Sequence, residues 1–221
     1  MLQRPVHLMF DIDGTLTESC AFDSECYEAA IAELVASPLV EDRNHYRDVS
    51  DEGILRQHLS ECGITNQQAL IAELKTSFVA KIGQRLKREP ARAITGARRM
   101  LDYFGTMPHC TLSLATGGWL ESAKLKLASA GLNVNDVPIA SSNDHFKRTE
   151  IMRCAYNRAG VTEAQTVVYI GDGLWDKRAC AELGWPFVLV GNKCEHRYRV
   201  DDYSDLDHFL FELKLAVNSM P

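Results

Sequence analysis

Four short stretches of this sequence combine acids, hydroxyls, glycines and bases at spacings that can gather charged groups. The first is Asp11-Ile12-Asp13-Gly14-Thr15-Leu16-Thr17. Two carboxylates at i and i+2 converge on one cation once the chain turns, and Gly14 opens backbone conformations closed to other residues. An Asp-Gly turn after a strand has the same composition, so this stretch alone leaves both readings open. The second, Leu114-Ala115-Thr116-Gly117-Gly118-Trp119, is a hydroxyl followed by two glycines at the start of a helical pattern. N–H groups at a helix start bind anionic oxygens, and glycine lets an anion come close. A plain strand-to-helix turn uses the same residues. The third is the pair Lys147-Arg148, a doublet that elsewhere is ordinary solvated surface. The fourth runs from Tyr169 to Asp176 (YIGDGLWD) and sets Asp172 and Asp176 at i and i+4, as a helix cap with a first-turn acid also does.

The elements around these stretches decide whether they can meet. Val6–Phe10, Cys110–Ala115 (CTLSLA), Thr166–Ile170 (TVVYI) and Phe187–Val190 (FVLV) are short apolar runs rich in strand formers, each closed by a turn signal. Helical patterns lie at Ala97–Phe104, Leu120–Ala130, Thr149–Ala159 and Trp175–Leu183. Alternation of this kind predicts βαβ units and a parallel sheet. Residues 18–90 break the rhythm with three helical patterns and no strand. Tyr27, Ile31, Leu34 and Val35 form one stripe, Ile54, Leu55, His58, Leu59 and Cys62 a second, and Ile71, Leu74, Phe78 and Ile82 a third. Thr65 with Gln68 reads as a capping box opening the third helix, and Pro90 marks its end. The expected architecture is therefore an α/β core of residues 1–17 and 91–221, with an all-helical module of residues 18–90 inserted after the first strand. Asp11, Thr116 and Asp172 would then share the carboxyl edge of the sheet, where open α/β sheets bind ligands.

Composition narrows the class. The chain has 221 residues, 46% hydrophobic and 24% charged, and 30 acidic against 24 basic residues give a net charge of −6. A chain of this length can bury a sizeable core without metal or disulfide staples. The acidic balance argues against nucleic acid as a partner, because that binding depends on Lys and Arg neutralising phosphates. Seven cysteines, Cys20, Cys26, Cys62, Cys110, Cys154, Cys180 and Cys194, contain no C-x-x-C pair, which suits reduced thiols of a cytoplasmic protein. No apolar run approaches the roughly 18 residues of a membrane span. No membrane partner is expected, and either a monomer or a homodimer fits.

In combination, the D-x-D-G-T-x-T start (Asp11 to Thr17), the strand-end Thr116, the downstream Lys147-Arg148 and the G-D-x-x-x-D acids (Gly171 to Asp176) resemble the four motifs of the haloacid dehalogenase-like hydrolase superfamily. The helical insertion after the first motif resembles the C1 cap of its phosphoglycolate phosphatase and β-phosphoglucomutase branch. The resemblance implies a Rossmann-like parallel sheet with a C1 cap, and a Mg2+-dependent phosphatase acting on a small phosphorylated metabolite. It implies Asp11 as nucleophile and Asp13 as general acid/base. It further implies Thr116, Gly117, Gly118 and a basic residue around the phosphoryl group, with Mg2+ held by Asp11, the Asp13 carbonyl and Asp172, supported by Asp176. Where the family usually has Lys-Pro, this chain reads Phe146-Lys147-Arg148-Thr149, so both Lys147 and Arg148 are candidates for the phosphate-binding base.

These roles are chemically coherent. A carboxylate that takes the phosphoryl group splits a very slow hydrolysis into two steps. Its repulsion from a phosphate dianion calls for cations and donors around the transferred group. Dehalogenation of a 2-haloacid is disfavoured, because it leaves no alkoxide for Asp13 to protonate, and phosphonoacetaldehyde hydrolysis is disfavoured because that family replaces the second acid. A phosphomutase shares all four motifs, and a non-catalytic binding module would not need every charged position. Trp119 and Trp175 are candidate substrate contacts, as are Arg47 and Arg56 in the helical insertion, whose closure would hinge at Leu16–Cys20 and Pro90–Ile94.

Overall fold

A computed structural model describes residues 5–162 and 164–219. Among these residues six parallel strands form one sheet in the order β3-β2-β1-β4-β5-β6. The strands are β1 (Val6–Phe10), β2 (Cys110–Ala115), β3 (Ile139–Ala140), β4 (Thr166–Gly171), β5 (Phe187–Val190) and β6 (Arg199–Val200). β1 is buried along its whole length, as expected of a strand covered on both faces of a parallel sheet. It pairs Val6 with Cys110 and Phe10 with Leu114 on one side, and Val6 with Thr166 and Phe10 with Ile170 on the other. The chain builds outward from β1 first to β2 and β3, then returns to build β4, β5 and β6 on the opposite side. The carboxyl end of β1 is thus the topological switch point, where a crevice opens between diverging connections.

The four strands expected from the sequence are present, with β4 one residue longer. The two-residue edge strands β3 and β6 were not expected, because two residues carry no periodicity. Among the described residues eight α-helices accompany the sheet: α1 (Cys20–Leu34), α2 (Asp51–Glu61), α3 (Gln67–Arg88), α4 (Ala97–Gly105), α5 (Leu120–Ser129), α6 (Arg148–Arg158), α7 (Leu174–Leu183) and α8 (Leu206–Asn218). The last was not expected, although Phe209, Leu213 and Ala216 bury one of its faces. Among the described residues no helix is long and apolar enough to cross a membrane.

The segment after β1 is all-helical: α1, a 3₁₀ turn at Arg43–His45, α2 and α3. Tyr27, Ala30 and Ile31 of α1 and Leu74, Phe78 and Ile82 of α3 are buried, so the apolar stripes of the two helices serve as their packing faces. Phe78 sits edge-on to Tyr27 with ring centroids 5.5 Å apart and lies 5.6 Å from Trp119 of the core. α3 stops two residues before Pro90, as expected. Its start corrects the capping-box expectation: α3 begins at Gln67 after Asn66, with no side-chain cap, and Gln67 donates back to the Ile64 carbonyl at 3.0 Å. The two chain crossings between this helical segment and the sheet run side by side. Glu18 N–H donates to Arg92 C=O at 2.8 Å, Ile94 N–H donates to Leu16 C=O at 2.9 Å, and Thr17 bridges Ala93 in antiparallel fashion.

Leu8 is fully buried at the centre of β1. Leu8→Ala should lower the unfolding free energy by about 2–5 kcal/mol, read as a lowered urea midpoint at unchanged slope.

Candidate active site

Asp11 follows the last residue of β1, and its N–H donates to Ile170 C=O at 2.9 Å, which extends the β1/β4 ladder and fixes the carboxylate at the sheet edge. The chain then turns at Gly14, with φ of +78° and its N–H donating to Thr17 C=O at 2.8 Å. A Cβ at Gly14 would lie 1.8 Å from Asp172 Oδ2. Both the left-handed backbone and the close approach of the second acid therefore exclude a side chain there. β4 delivers Asp172, and the first turn of α7 delivers Asp176. Carboxylate oxygens of Asp11, Asp172 and Asp176 lie within 4.8 Å of one another.

Three buried acids this close repel each other, and two bases offset the repulsion. Arg148, 8% exposed at the start of α6, donates from Nη2 to Asp11 Oδ1 at 3.1 Å and from Nε to Asp176 Oδ1 at 2.7 Å. Asp176 Oδ2 accepts the Gly173 N–H at 3.0 Å, so this acid both caps α7 and orients the guanidinium. Lys193, on the loop after β5, donates to Asp172 Oδ2 and sits 3.1 Å from Cys20 Sγ. Burial still pushes the Asp11 carboxyl well above the usual carboxylate range, against the pull of Arg148, and pushes Asp172 up to about 6 against the pull of Lys193. Asp172 Oδ1 is buried without a hydrogen-bond partner. A hard divalent cation with oxygen ligands fits this set: it would satisfy the orphan oxygen and favour the ionised form of Asp11 and Asp172.

Thr116, 1% exposed at the end of β2, accepts the Gly118 N–H on its hydroxyl at 3.1 Å. Gly117 packs so closely that a Cβ would meet Arg148 Nη1 at 2.5 Å. The start of α5 departs from the expectation of free anion-binding amides, because Trp119 N–H donates to Asp51 Oδ2 at 2.8 Å and Leu120 N–H to Asn143 Oδ1 at 3.1 Å.

Asp11, Asp13, Thr116, Gly117, Gly118, Arg148 and Asp172 all line one cavity of about 170 Å³. Asp176 stands behind them, fully buried. Lys147 does not reach this cavity: it lines a separate depression with Arg47, Asp48 and Glu182. Lys147 is the N-cap of α6 with extended backbone and Arg148 is the first helical residue, so the two side chains leave in different directions, and it is Arg148 that reaches Asp11. Arg47 and Arg56 are also elsewhere. Arg56 pairs with Glu52 at 2.6 Å and lies over Phe146. Trp175 does line the cavity, whereas Trp119 is buried between Tyr27 and Phe78 as a packing residue.

The helical segment closes this cavity through the N-terminus of α2. Asp51 N–H donates to Gly117 C=O at 2.8 Å, Glu52 N–H to Ser142 Oγ at 3.0 Å and Ser50 Oγ to Phe146 C=O at 2.5 Å. Asp23, Ser24, Tyr27, Arg43 and Asp51 complete the wall. Beneath it, Lys126 of α5 is fully buried and pairs with Asp13 and Asp23, each at 2.6 Å. Burial alone would strip its proton, but the two carboxylates outweigh that and hold the ammonium charged. Sequence reasoning passed over Lys126, yet it sits with Ser122, Ala123 and Leu127 on the buried face of α5, and a charge within an apolar stripe is a readable signal. Arg43, Asp51 and Lys193 carried none, since each reads as an ordinary turn or loop residue.

Burial, then the neighbouring Asp23, pushes Asp51 up to about 8, and burial pushes Asp23 up to about 6 against Lys126. A carboxyl raised on folding contributes stability below its unfolded value, and that contribution is lost as pH rises through the folded one. The melting temperature should therefore fall as pH rises through about 6 and on through about 8. Asp51→Asn should flatten the upper part of that fall in a calorimetric pH series.

Comparison with known proteins agrees with this geometry. The chain resembles a candidate β-phosphoglucomutase from Bacteroides vulgatus at a TM-score of 0.70 and 16% identity, covering 98% of this chain and 91% of that one. It resembles CbbY from Rhodobacter sphaeroides, solved in complex with phosphate, at 0.68 and 18%, covering 90% and 95%. It also resembles a candidate hydrolase of Bacillus subtilis, YfnB, bound to magnesium, at 0.59 and 17%, covering 95% and 100%. At these identities the likeness is one of fold. No curated relative matches the sequence significantly. A family model described as haloacid dehalogenase-like hydrolase matches residues 8–190, spanning β1 to the end of β5 and every acid of the buried trio, and the chain belongs to that family.

Proposed function

We propose that this hydrolase cleaves small phosphate monoesters in two steps through an aspartyl-phosphate on Asp11. The observation that carries the reading is the buried Asp11 carboxylate held by Arg148 at 3.1 Å, with Asp172 and Asp176 beside it at the switch point of the sheet. Thr15 Oγ1 lies 3.4 Å from Asp11 Oδ2, so one oxygen faces Arg148 and the other is only weakly engaged, as a nucleophile requires. Asp11, the Asp13 carbonyl and Asp172 would hold Mg2+, with Asp176 in support. When bound, the ion supplies positive charge that neutralises the repulsion between carboxylate and phosphate.

The protein's own residues account for the remaining work. Arg148 binds the transferred group and presents it to Asp11, with the Thr116 hydroxyl and the Gly117 and Gly118 backbone around it. An Asp11 oxygen attacks phosphorus, the ester P–O bond breaks, and Asp13 gives its proton to the departing oxygen. Water then attacks the phosphoryl-aspartate, Asp13 takes the water proton, and inorganic phosphate leaves with Asp11 restored. Residues 18–90 act as the cap, and closure of α2 onto Gly117 and Ser142 excludes bulk water from the cavity. CbbY, solved with phosphate, and YfnB, solved with magnesium, support the reading by analogy of fold.

Purified protein should release phosphate from p-nitrophenyl phosphate only with Mg2+ present. Asp11→Asn should lower that rate by more than about 10³-fold, in line with removal of a covalent nucleophile. A wild type without any Mg2+-dependent release would overturn the phosphatase reading. Arg148→Ala should cost at least about 10²-fold in kcat/KM, and Lys147→Ala less than about threefold. A larger effect at Lys147 would reverse the assignment of the phosphate-binding base.

A further inference from the structure

Among the described residues three cations line the cavity, Arg43, Arg148 and Lys193, and they differ in how far their charge is already committed. Arg148 is buried and shared between Asp11 and Asp176. Arg43, on the helical segment, pairs with Glu28 at 3.5 Å. Lys193 has a single carboxylate partner, Asp172, and its other contact is the Cys20 sulfur at 3.1 Å, a weak acceptor. An ammonium carries three donors, and nothing among the described residues takes the third. The side chain of Lys193 is 44% exposed, against 2% for that of Asp172. The backbone beneath it is fixed, because Gly191 N–H donates to Val200 C=O at 2.8 Å and Lys177 Nζ to Glu195 C=O at 2.7 Å. The loop after β5 thus sets the root of Lys193, while its flexible stem leaves the charged head free to change partner.

We infer that Lys193 is a second phosphate-binding residue of this site, resting on Asp172 until a divalent cation takes that acid and then turning to the phosphoryl group. This rests on the phosphatase reading and adds a residue to the same site. A dication and an ammonium held by one carboxylate repel each other at short range, so the two compete for Asp172. A better acceptor arrives with the substrate. Carboxylate oxygens of Asp11 and Asp172 lie within 4.8 Å of one another, which brings a group bound at Asp11 within one swing of the lysine head. The ammonium then exchanges a carboxylate already shared with the cation for phosphate oxygens, and it remains in a charge-assisted hydrogen bond throughout. Arg148 cannot make such a move, because two acids hold it in burial. One base therefore receives the phosphate from a fixed position and the other arrives with the charge. Lys193 opposes the cation when the cavity holds no phosphate and supports phosphate once the cation is in place, and by linkage each effect is felt by both ligands.

Two calorimetric titrations separate these roles: Mg2+ alone, and inorganic phosphate at saturating Mg2+. Working at about pH 8.5 keeps proton competition for the acids out of the comparison. Lys193→Met retains the stem and removes the charge. It should raise the Kd for phosphate by about tenfold or more, as loss of one charge-assisted hydrogen bond warrants. The same variant should lower the Kd for Mg2+ by about threefold or more, because the competing ammonium is gone. A residue that merely props up Asp172 would weaken both ligands, so the opposite signs identify the role. Lys193→Arg should restore phosphate binding to within about threefold of wild type, and Lys193→Gln is read in place of Lys193→Met if that protein does not fold. An unchanged phosphate Kd in the charge-removing variant, or a Mg2+ affinity that fails to rise, would overturn the inference. Arg148→Ala distinguishes this from failure of the underlying reading. Intact phosphate binding in Lys193→Met beside a loss in Arg148→Ala removes Lys193 alone, whereas a wild type that binds no phosphate with Mg2+ present removes the phosphatase reading and the inference together.

Discussion

The buried Arg148 guanidinium is the constraint around which the site is organised. It spans Asp11 at the end of β1 and Asp176 on α7, and without it only Lys193, paired with Asp172, would offset the three carboxylates. Removing one partner from a buried ion network leaves the other charges uncompensated, at a cost that can reach several kcal/mol. The fit is tight on every side. Gly117 leaves no room for a Cβ beside the guanidinium, and Asp176 is held from behind by the Gly173 amide. A glycine and a helix cap, ordinary features when taken singly, are thus what place the arginine on the nucleophile candidate.

Lys126 performs a parallel service on the opposite side of Asp13. It joins a turn of the sheet domain to α1 of the helical segment through two short ion pairs in complete burial. The aromatic contacts of Tyr27, Phe78 and Trp119 cover the same junction. The helical segment is therefore held to the core by one charged clasp, one apolar seam and the hydrogen bonds at the start of α2.

Charge is distributed unevenly for a reason. A net charge of −6 repels phosphates at long range, so attraction has to be local, and Arg148 and Lys193 supply it at the sheet edge together with any divalent ion bound by the acids.

Much of this protein is legible in its sequence. Val6–Phe10, Cys110–Ala115, Thr166–Ile170 and Phe187–Val190 declare themselves because a doubly covered parallel strand must be apolar throughout. Asp11, Gly14 and Asp172 declare themselves because strand ends and glycine turns are local features whose residues sit next to each other in the chain. What only the tertiary structure decides is which side chains arrive from far away. Arg148 and Lys147 are neighbours with the same charge, and the change from extended backbone at Lys147 to helix at Arg148 sends one to Asp11 and leaves the other outside that cavity. Asp51 and Arg43 reach the cavity from the inserted segment, and Lys126 lies beneath it from a core helix, through packing that spans the whole fold. Sequence spacing fixes direction within a turn or two of chain, and the balance of charge in a pocket assembled from several separate segments can be read only once those segments have come together.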